Sequence, residues 1–411
     1  MNLSRGFDTI NMEEVLHRAS NHIFSMGLND AANQLCNCNM QYGLAKIHIA
    51  QSEMGQEPDA TFIGAPDATV TRNPHRWSFG FGYGGKVSWG SGTDDLIILD
   101  AMPNACGMMI GGLDELPGVA DLVDKVDAIF ARETTIDGIE IDWDFAVGNH
   151  FVDVFRFENS HHRFPFEYTF IIHGSVPELK GDNPTQWGFG LYYHRSAELR
   201  KIARTITTPL GDVHVLTDEA AGDYLEFLRF AEELARKKRL KAAELLFKDF
   251  KPISNPLHQG LLNMNEMVLG CQSIPENGEN VFPIALRADQ PAYLVEGKRN
   301  LEDSTIDRLN FRERAEEYGV LGRLRNLNII PHGGGYTFLD LVKVKRVLKG
   351  KDQRRYFVAE IANTKEGTKI FASPGELAFT YRGEEVVKRA LELKLCSIVA
   401  KMSPEIVLKI S

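Results

Sequence analysis

The sequence has no apolar run of membrane-spanning length, so a protein with transmembrane helices is not expected. The first residues, Met1 to Arg5, also lack the apolar core of a secretory signal. Five cysteines are an odd number scattered over 411 residues, and they do not suit the disulfide framework of small secreted proteins. We therefore expect a cytoplasmic protein with reduced thiols and no membrane partner.

Positive charge is also scarce in this chain. There are 46 Lys and Arg residues against 56 Asp and Glu residues, which gives a net charge of −10. This balance argues against a protein that coats nucleic acid nonspecifically, because that affinity comes from cations that neutralise phosphates. Residues 236–241 and 343–351 are locally basic, and we interpret both as solvated faces, although a local basic groove is not excluded.

The chain does contain enough apolar side chains, 43% of its residues, to bury a large core. Apolar residues at helical spacing predict helices over residues 12–26, 218–248 and 384–395, the first with Asn11 as its cap. Glycines and short apolar runs predict a loop-rich strand region between residues 60 and 115. We expect a single α+β domain in which mixed and antiparallel sheets form a central core flanked by helices.

Two histidines lie at the ends of predicted strands. His150 precedes the aromatic and β-branched run 151–157, and His173 follows the alternating run 166–172. A strand end holds its side chain rigidly, so two imidazoles can converge there on one metal ion. Further candidate ligands or nucleophiles are Cys106, His258 and His332. None has zinc-finger spacing, so the fold must assemble any such site from distant segments.

Two alternatives remain open at this point. A histidine beside an apolar strand is more often a satisfied core or edge residue than a metal ligand, and all of these histidines could be isolated core residues. Cys36 and Cys38 are a rival metal candidate, because they place two thiols close together. Two thiolates alone, however, make an incomplete metal site.

Several short motifs follow one another along the chain in a recognisable order. They are Pro66-Asp67-Ala68, Gly82-Tyr83-Gly84, Cys106-Gly107-Met108, Gly148-Asn149-His150-Phe151, His173-Gly174-Ser175, His258-Gln259, Pro374-Gly375-Glu376 and Tyr381-Arg382-Gly383-Glu384-Glu385-Val386-Val387. In this order they resemble the RtcB family, the GTP-dependent RNA ligases of tRNA splicing. The resemblance runs, with gaps, from about residue 60 to the C-terminus, and Gly-Asn-His-Phe is its most specific motif.

The resemblance implies an RtcB-like catalytic domain over residues 59–411, with residues 1–58 as an N-terminal helical segment packed on it. The implied activity joins RNA 2′,3′-cyclic phosphate or 3′-phosphate ends, as in tRNA halves or broken RNA, to 5′-hydroxyl ends. GTP would first guanylylate a histidine, and the GMP would then pass to the RNA 3′-phosphate. Two manganese ions, or zinc or another divalent metal, would neutralise charge on the transferring phosphoryl oxygens.

The same resemblance assigns roles to individual residues. The implied metal ligands are Cys106, His150, His173, His258 and Asp100. The implied contacts to the guanylate are Asn149, His332, Gly333 and Gly334, and His332 takes the place of the nucleophile. Asp100 is assigned because Pro103, which cannot coordinate a metal, stands where the family has an aspartate three residues before its cysteine.

The segment after His332 departs from the family pattern. It reads Gly333-Gly334-Gly335-Tyr336, whereas the family has Gly-Ala-Gly-Arg, and a tyrosine cannot replace a bidentate guanidinium. An alternative alignment matches this stretch to another glycine-rich family segment and leaves the nucleophile missing. The second functional hypothesis is therefore a metal-binding paralogue without nucleotidyl transfer, either a phosphoesterase or an RNA-end-binding protein.

Overall fold

The computed structural model describes residues 11–408 except 146, 159–162, 279 and 365. Residues 1–10 of the predicted N-terminal segment thus lie outside the described residues. Helices and several sheets alternate along the rest of the chain, which confirms the predicted α+β class. Within the described ranges, every helix is too short or too polar to cross a membrane.

Polar caps open the first two helices, where the side chains of Asn11 and Asp30 accept hydrogen bonds from main-chain N–H groups of the first turn. The helices are α1 (Met12–Asn21), α2 (Ala31–Glu53), α3 (Pro74–Phe79), α4 (Val119–Phe130), α5 (Ala197–Ile202), α6 (Asp218–Leu246), α7 (Asp303–Arg308), α8 (Arg312–Glu317), α9 (Leu321–Arg325) and α10 (Glu385–Glu392). Helix α6 confirms the longest predicted helix. Helix α1 ends at Asn21 rather than at residue 26, because the following residues join a sheet.

Most strands are short, and the two longest cover residues 61–70 and 396–408. The strands are β1 (Ile23–Ser25), β2 (Thr61–Val70), β3 (Gly82–Ser88), β4 (Leu96–Ile98), β5 (Gly107–Leu113), β6 (Thr135–Ile136), β7 (Ile139–Glu140), β8 (Phe151–Phe157), β9 (Tyr168–Gly174), β10 (Arg204–Ile206), β11 (Val213–Thr217), β12 (Lys251–Ser254), β13 (Gln259–Asn263), β14 (Glu266–Leu269), β15 (Cys271–Ser273), β16 (Val281–Ile284), β17 (Ala292–Gly297), β18 (Ile329–Pro331), β19 (Tyr336–Thr337), β20 (Leu341–Lys349), β21 (Arg355–Ile361), β22 (Thr368–Phe371), β23 (Thr380–Tyr381) and β24 (Cys396–Leu408).

A seven-stranded antiparallel sheet, in the order β12-β5-β9-β8-β24-β17-β16, carries most of the candidate ligands. Strands β8 and β9 confirm the two strands predicted from alternating apolar residues. In the register of the sheet, His173 lies opposite Met108 on one side and opposite Phe151 on the other. Cys106 and His150 immediately precede β5 and β8, so both lie beside His173 at one end of these three neighbouring strands.

The second large sheet has five strands in the order β1-β2-β3-β14-β13. All ten residues of β2 are buried, including the carboxylate residue Asp67. Strand β18 packs against β2, and His332 follows directly after β18. Helix α6 packs across β5 and β9 with its buried face, which includes the predicted apolar residues Tyr224 and Leu228. These contacts bring the two sheets together around the candidate site.

Candidate metal centre

Cys106 lies in a tight turn just before β5. The preceding residue, Ala105, has a φ of 53°, and the side chain of Asn104 accepts a hydrogen bond from the Cys106 N–H at 3.0 Å. This turn directs the buried thiol towards two imidazoles. Its Sγ is 3.3 Å from Nε2 of His150 and 3.1 Å from Nε2 of His173. Three side chains that are distant in sequence therefore meet through the atoms that bind metals.

His258 completes the group from the other side of the thiol. Its main-chain N–H donates to the Cys106 carbonyl oxygen at 2.9 Å, which holds the segment before β13 against the cysteine turn. Its Nε2 lies 3.2 Å from Nε2 of His173. The other ring nitrogen of His173, Nδ1, is 3.1 Å from the Asn149 carbonyl oxygen. If Nδ1 donates its proton there, the lone pair of His173 Nε2 faces the thiol.

The donor atoms of Cys106, His173 and His258 all lie within 4.8 Å of one another. In a tetrahedral site with ordinary ligand bonds, two donor atoms are roughly 3.4 Å apart. The distance from His173 Nε2 to Cys106 Sγ is 3.1 Å and that to His258 Nε2 is 3.2 Å, so both are a few tenths of an ångström below that spacing. A small outward movement of the rings would admit an ion. One thiolate and two imidazoles suit zinc, iron, cobalt or manganese.

Burial favours the neutral, metal-binding form of both inner histidines. Desolvation lowers the pKa of His173 and of His258 well below the usual value, and the neighbouring histidines lower it further. His150 behaves differently, since it faces a carboxylate. Burial opposes its protonation, but the Cys106 sulfur and the Asp144 carboxylate raise the pKa of His150 to about 10.

Asp144 was not singled out in the sequence, yet it orients His150. Its Oδ2 lies 2.9 Å from Nδ1 of His150 and also accepts hydrogen bonds from the N–H and hydroxyl groups of Ser175 at 2.9 Å. Burial alone would raise the pKa of Asp144, but Lys238 and His150 hold it well below its usual range. The Lys238 ammonium lies 3.3 Å from both Asp144 and Glu178, and it is only 2% exposed.

Replacing Lys238 with methionine should lower the free energy of unfolding by about 3 kcal/mol, because it leaves the buried Asp144 carboxylate without its cation. Urea denaturation would measure this loss. The matched control is Lys237→Met on the same helix, which removes only the surface ion pair with Asp137. The control should leave the urea midpoint nearly unchanged, and equal behaviour of the two variants would contradict a structural role for Lys238.

His332 is held on the opposite wall by Asp67. Its Nδ1 lies 2.8 Å from Asp67 Oδ2, and its main-chain N–H donates to the same oxygen at 3.1 Å. The centroid of the His332 ring is 4.5 Å from that of His258, so the predicted nucleophile adjoins the predicted ligands. Asp67 stands in a motif that the sequence singled out, but its contact with His332 was not predicted.

A cleft opens in front of these side chains. Its lining residues are Thr69, Tyr83, Met108, Asn149, Phe151, Asp153, His173, Ala285, Leu286, Arg287, Ala288, His332, Gly333, Gly334, Gly335, Tyr336 and Tyr381. All four residues predicted to contact a guanylate are among them. Glycine is required at 335, where φ is 66° and a Cβ would lie 2.4 Å from the Asp67 carbonyl oxygen. Arg287, a cationic residue that lines this cleft, is not identified by any sequence motif.

Asp100 does not belong to this group, so its assignment as a ligand beside Cys106 is corrected. It lies in a short 3-10 turn, Leu99–Ala101, and both of its carboxylate oxygens contact His214. One oxygen accepts the main-chain N–H at 2.7 Å, and the other is 2.9 Å from ring Nδ1. The pairing of β4 with β11 brings His214 to this position and draws the carboxylate away from the thiol.

The rival cysteine pair is not part of a ligand group among the described residues. Cys36 and Cys38 are free thiols on α2. Burial raises the pKa of Cys36 to about 12 and that of Cys38 to about 11, which disfavours the thiolate form that binds metals. The only histidine, cysteine or carboxylate group with metal-site spacing in the described part of the chain contains Cys106.

No protein-family model matches the sequence. The curated proteins also yield no significant match. The assignment of a function therefore depends on the geometry of the cleft and on the motif resemblance.

Proposed function

We propose that this chain is a divergent RNA ligase of the RtcB type, with its active site in the cleft between His332 and the Cys106 group. The observation that carries the proposal is the 4.5 Å separation of the His332 and His258 rings, together with the buried Asp67 contact to His332 Nδ1. A candidate nucleophile thus lies beside a candidate metal group, and His173 of that group lines the same cleft as His332, an arrangement that suits nucleotidyl transfer.

The donor set fits a resident divalent cation. Cys106, His173 and His258 would hold one ion, for which manganese is our first proposal and zinc the next. A second ion would have only His150 and the shared Cys106 as ligands, because Asp100 contacts His214 instead. We therefore expect the first ion to bind more tightly. Such an ion neutralises charge on phosphoryl oxygens during transfer.

His332 supplies the nucleophilic nitrogen in this scheme. If the carboxylate of Asp67 accepts the Nδ1 proton, the lone pair of Nε2 is free to attack the α-phosphorus of GTP. A nitrogen–phosphorus bond forms and the bond to pyrophosphate breaks. Water first opens a 2′,3′-cyclic end to the 3′-phosphate. An oxygen of this 3′-phosphate then attacks the phosphorus of the bound GMP, and the nitrogen–phosphorus bond to His332 breaks. The 5′-hydroxyl of the second RNA loses its proton and attacks the activated 3′-phosphate, which joins the strands and releases GMP.

The rest of the cleft suits a nucleotide. Asn149, Gly333 and Gly334 line it, and a Cβ at the two glycines would come within 2.6 Å of the Ala285 carbonyl oxygen and 2.4 Å of the Arg382 carbonyl oxygen, respectively. The guanidinium of Arg287 also lines the cleft and is the cation we propose for the phosphate groups, although it is now paired with Asp289. Another cation such as Arg287 is needed because Tyr336 stands where the family has an arginine.

The proposal predicts that the protein, incubated with Mn²⁺ and GTP, joins an RNA with a 2′,3′-cyclic phosphate end to an RNA with a 5′-hydroxyl end. The joined product is measured by gel electrophoresis, and the protein–GMP adduct by intact-protein mass spectrometry. Reactions with a chelator or with ATP in place of GTP serve as controls. Absence of both adduct and joined RNA, from protein that retains its metal, would contradict ligase activity.

Two observations favour a second candidate function. Asp100 lies outside the centre and Tyr336 follows the glycines, so two groups expected of a ligase are replaced. A metal-binding paralogue without nucleotidyl transfer would keep the Cys106 group and act as a phosphoesterase or an RNA-end-binding protein. It would bind metal and RNA 3′-phosphate ends but form no GMP adduct, which the same experiment distinguishes.

A further inference from the structure

A second cleft lies on another part of the molecule and shares no lining residue with the first. Its lining residues include Lys46, Asp100, His75, His194, Tyr193 and His214. Ionisable and aromatic side chains make up most of this set. The cleft draws on α2, α3, the turn after β4, the segment before α5 and the residues around the start of β11, so the fold brings its groups together from distant parts of the sequence.

Lys46 is the residue in this cleft that most needs a partner. It is 95% buried, since its relative exposure is 5%, and no carboxylate or hydrogen-bond acceptor within bonding distance of its ammonium is found among the described residues. The ammonium lies 4.5 Å from the centre of the Phe79 ring. Gly211 borders it with a φ of 108°, and a Cβ there would come within 3.3 Å of Nζ. A buried ammonium with one aromatic contact is poorly compensated for lost water.

Burial is the main influence on the charge state of Lys46. Burial and then the neighbouring Arg355 lower the pKa of Lys46 to about 8, while Asp100 and Asp212 act in the opposite direction. The nearest carboxylates are unsuited to pair with it, because Asp100 is occupied by His214 and Asp212 is exposed. An ammonium in the wall would repel a divalent cation but would attract an oxyanion.

Two pairs of stacked rings form the sides of the cleft. The rings of His75 and His194 are 3.7 Å apart with an interplanar angle of 19°, and those of Tyr193 and His214 are 3.8 Å apart at 23°. Imidazole and phenol groups offer hydrogen bonds at their edges. An anion beside Lys46 would thus have further polar neighbours within the same cleft.

We propose that this second cleft binds the oxyanion group of a small molecule, a phosphate or a carboxylate, through the ammonium of Lys46. The oxyanion occupies the space between Lys46 and the imidazoles and supplies the missing acceptor. This inference is independent of the proposed ligase activity, because none of the residues of the second cleft lines the first.

Calorimetric titration with inorganic phosphate, and separately with acetate, tests the proposal. Lys46→Met should weaken binding of the preferred anion about tenfold to a hundredfold, since it removes one buried charge-assisted hydrogen bond. Lys46→Arg, which keeps the charge, should restore part of the affinity. The control is Lys388→Met, an exposed lysine on α10 whose replacement should change nothing. The two anions separate phosphate from carboxylate ligands.

A second measurement uses the unaltered protein and so does not depend on the folding of a variant. Reductive methylation followed by peptide mass spectrometry reports how fast Lys46 itself is modified. The preferred anion, at ten times its Kd, should slow modification of Lys46 about tenfold and leave Lys388 unaffected. If neither anion protects Lys46, the proposal is overturned, whatever the ligase assay shows.

Discussion

Replacing Cys106 with alanine should weaken metal binding by more than about a hundredfold. Losing a residue that only supports a ligand already weakens metal binding by up to about a hundredfold, and Cys106 is a proposed ligand itself. The thiol is in contact with both His150 and His173, so its removal takes away the ligand that both proposed ion positions share. Metal content after dialysis would be measured by plasma mass spectrometry. In the cobalt-loaded protein, the sulfur-to-metal charge-transfer band should vanish.

Cys271→Ala is the matched control for this experiment. Cys271 is also a fully buried free cysteine, on β15, and it is not part of the Cys106 group. The control should keep its metal and its charge-transfer band, even though it loses the same side-chain volume. If Cys106→Ala retains metal as well as the control does, the centre described around β5 and β9 is not the metal site.

The histidines of this centre were within reach of sequence reasoning for a physical reason. Alternating apolar residues identify β8 and β9, and a strand end fixes the direction of the side chain beside it. His150 and His173 therefore had predictable positions on their own strands. The motif resemblance implied that they share a site with Cys106, but their approach to it depends on the pairing of β5, β8 and β9, which no local pattern could supply.

The supporting residues lay beyond such reasoning. Asp100 is only six residues from Cys106, yet the turn between them includes Met102 and Ala105, with φ of 55° and 53°, and the two side chains have different partners, His214 for Asp100 and two other histidines for Cys106. No sequence spacing encodes that turn. Lys238 likewise reads as part of a solvated basic helix face, and only the packing of α6 over the sheet buries it beside Asp144.

Helix α2 shows the same limit at the level of the fold. Sixteen of its 23 residues are buried, including the lysine of the second cleft, so the helix has almost no polar face. Without the alternation of apolar and polar faces, the periodic signal of an amphipathic helix is lost. Helix α6, which keeps a charged face, was predicted almost to its ends.

His332→Ala should reduce GMP-adduct formation by about four orders of magnitude, because it removes the atom that bonds to phosphorus. Metal content should stay unchanged, since His332 is not among the ligand group. Adduct formation would be followed by mass spectrometry in the presence of Mn²⁺ and GTP. His17→Ala, which alters an exposed histidine on α1, is the control and should retain full activity.

The Asp67→Asn variant tests whether His332 is the nucleophile or only lines the cleft. It keeps the size of the side chain but removes the negative charge that faces His332 Nδ1, so the histidine loses the partner that fixes its tautomer. We expect a loss of about a hundredfold to ten-thousandfold in adduct formation, with GTP binding little changed. An adduct that persists in His332→Ala, attached to another residue, would show that the glycine-rich segment after β18 aligns differently and that His332 only shapes the wall.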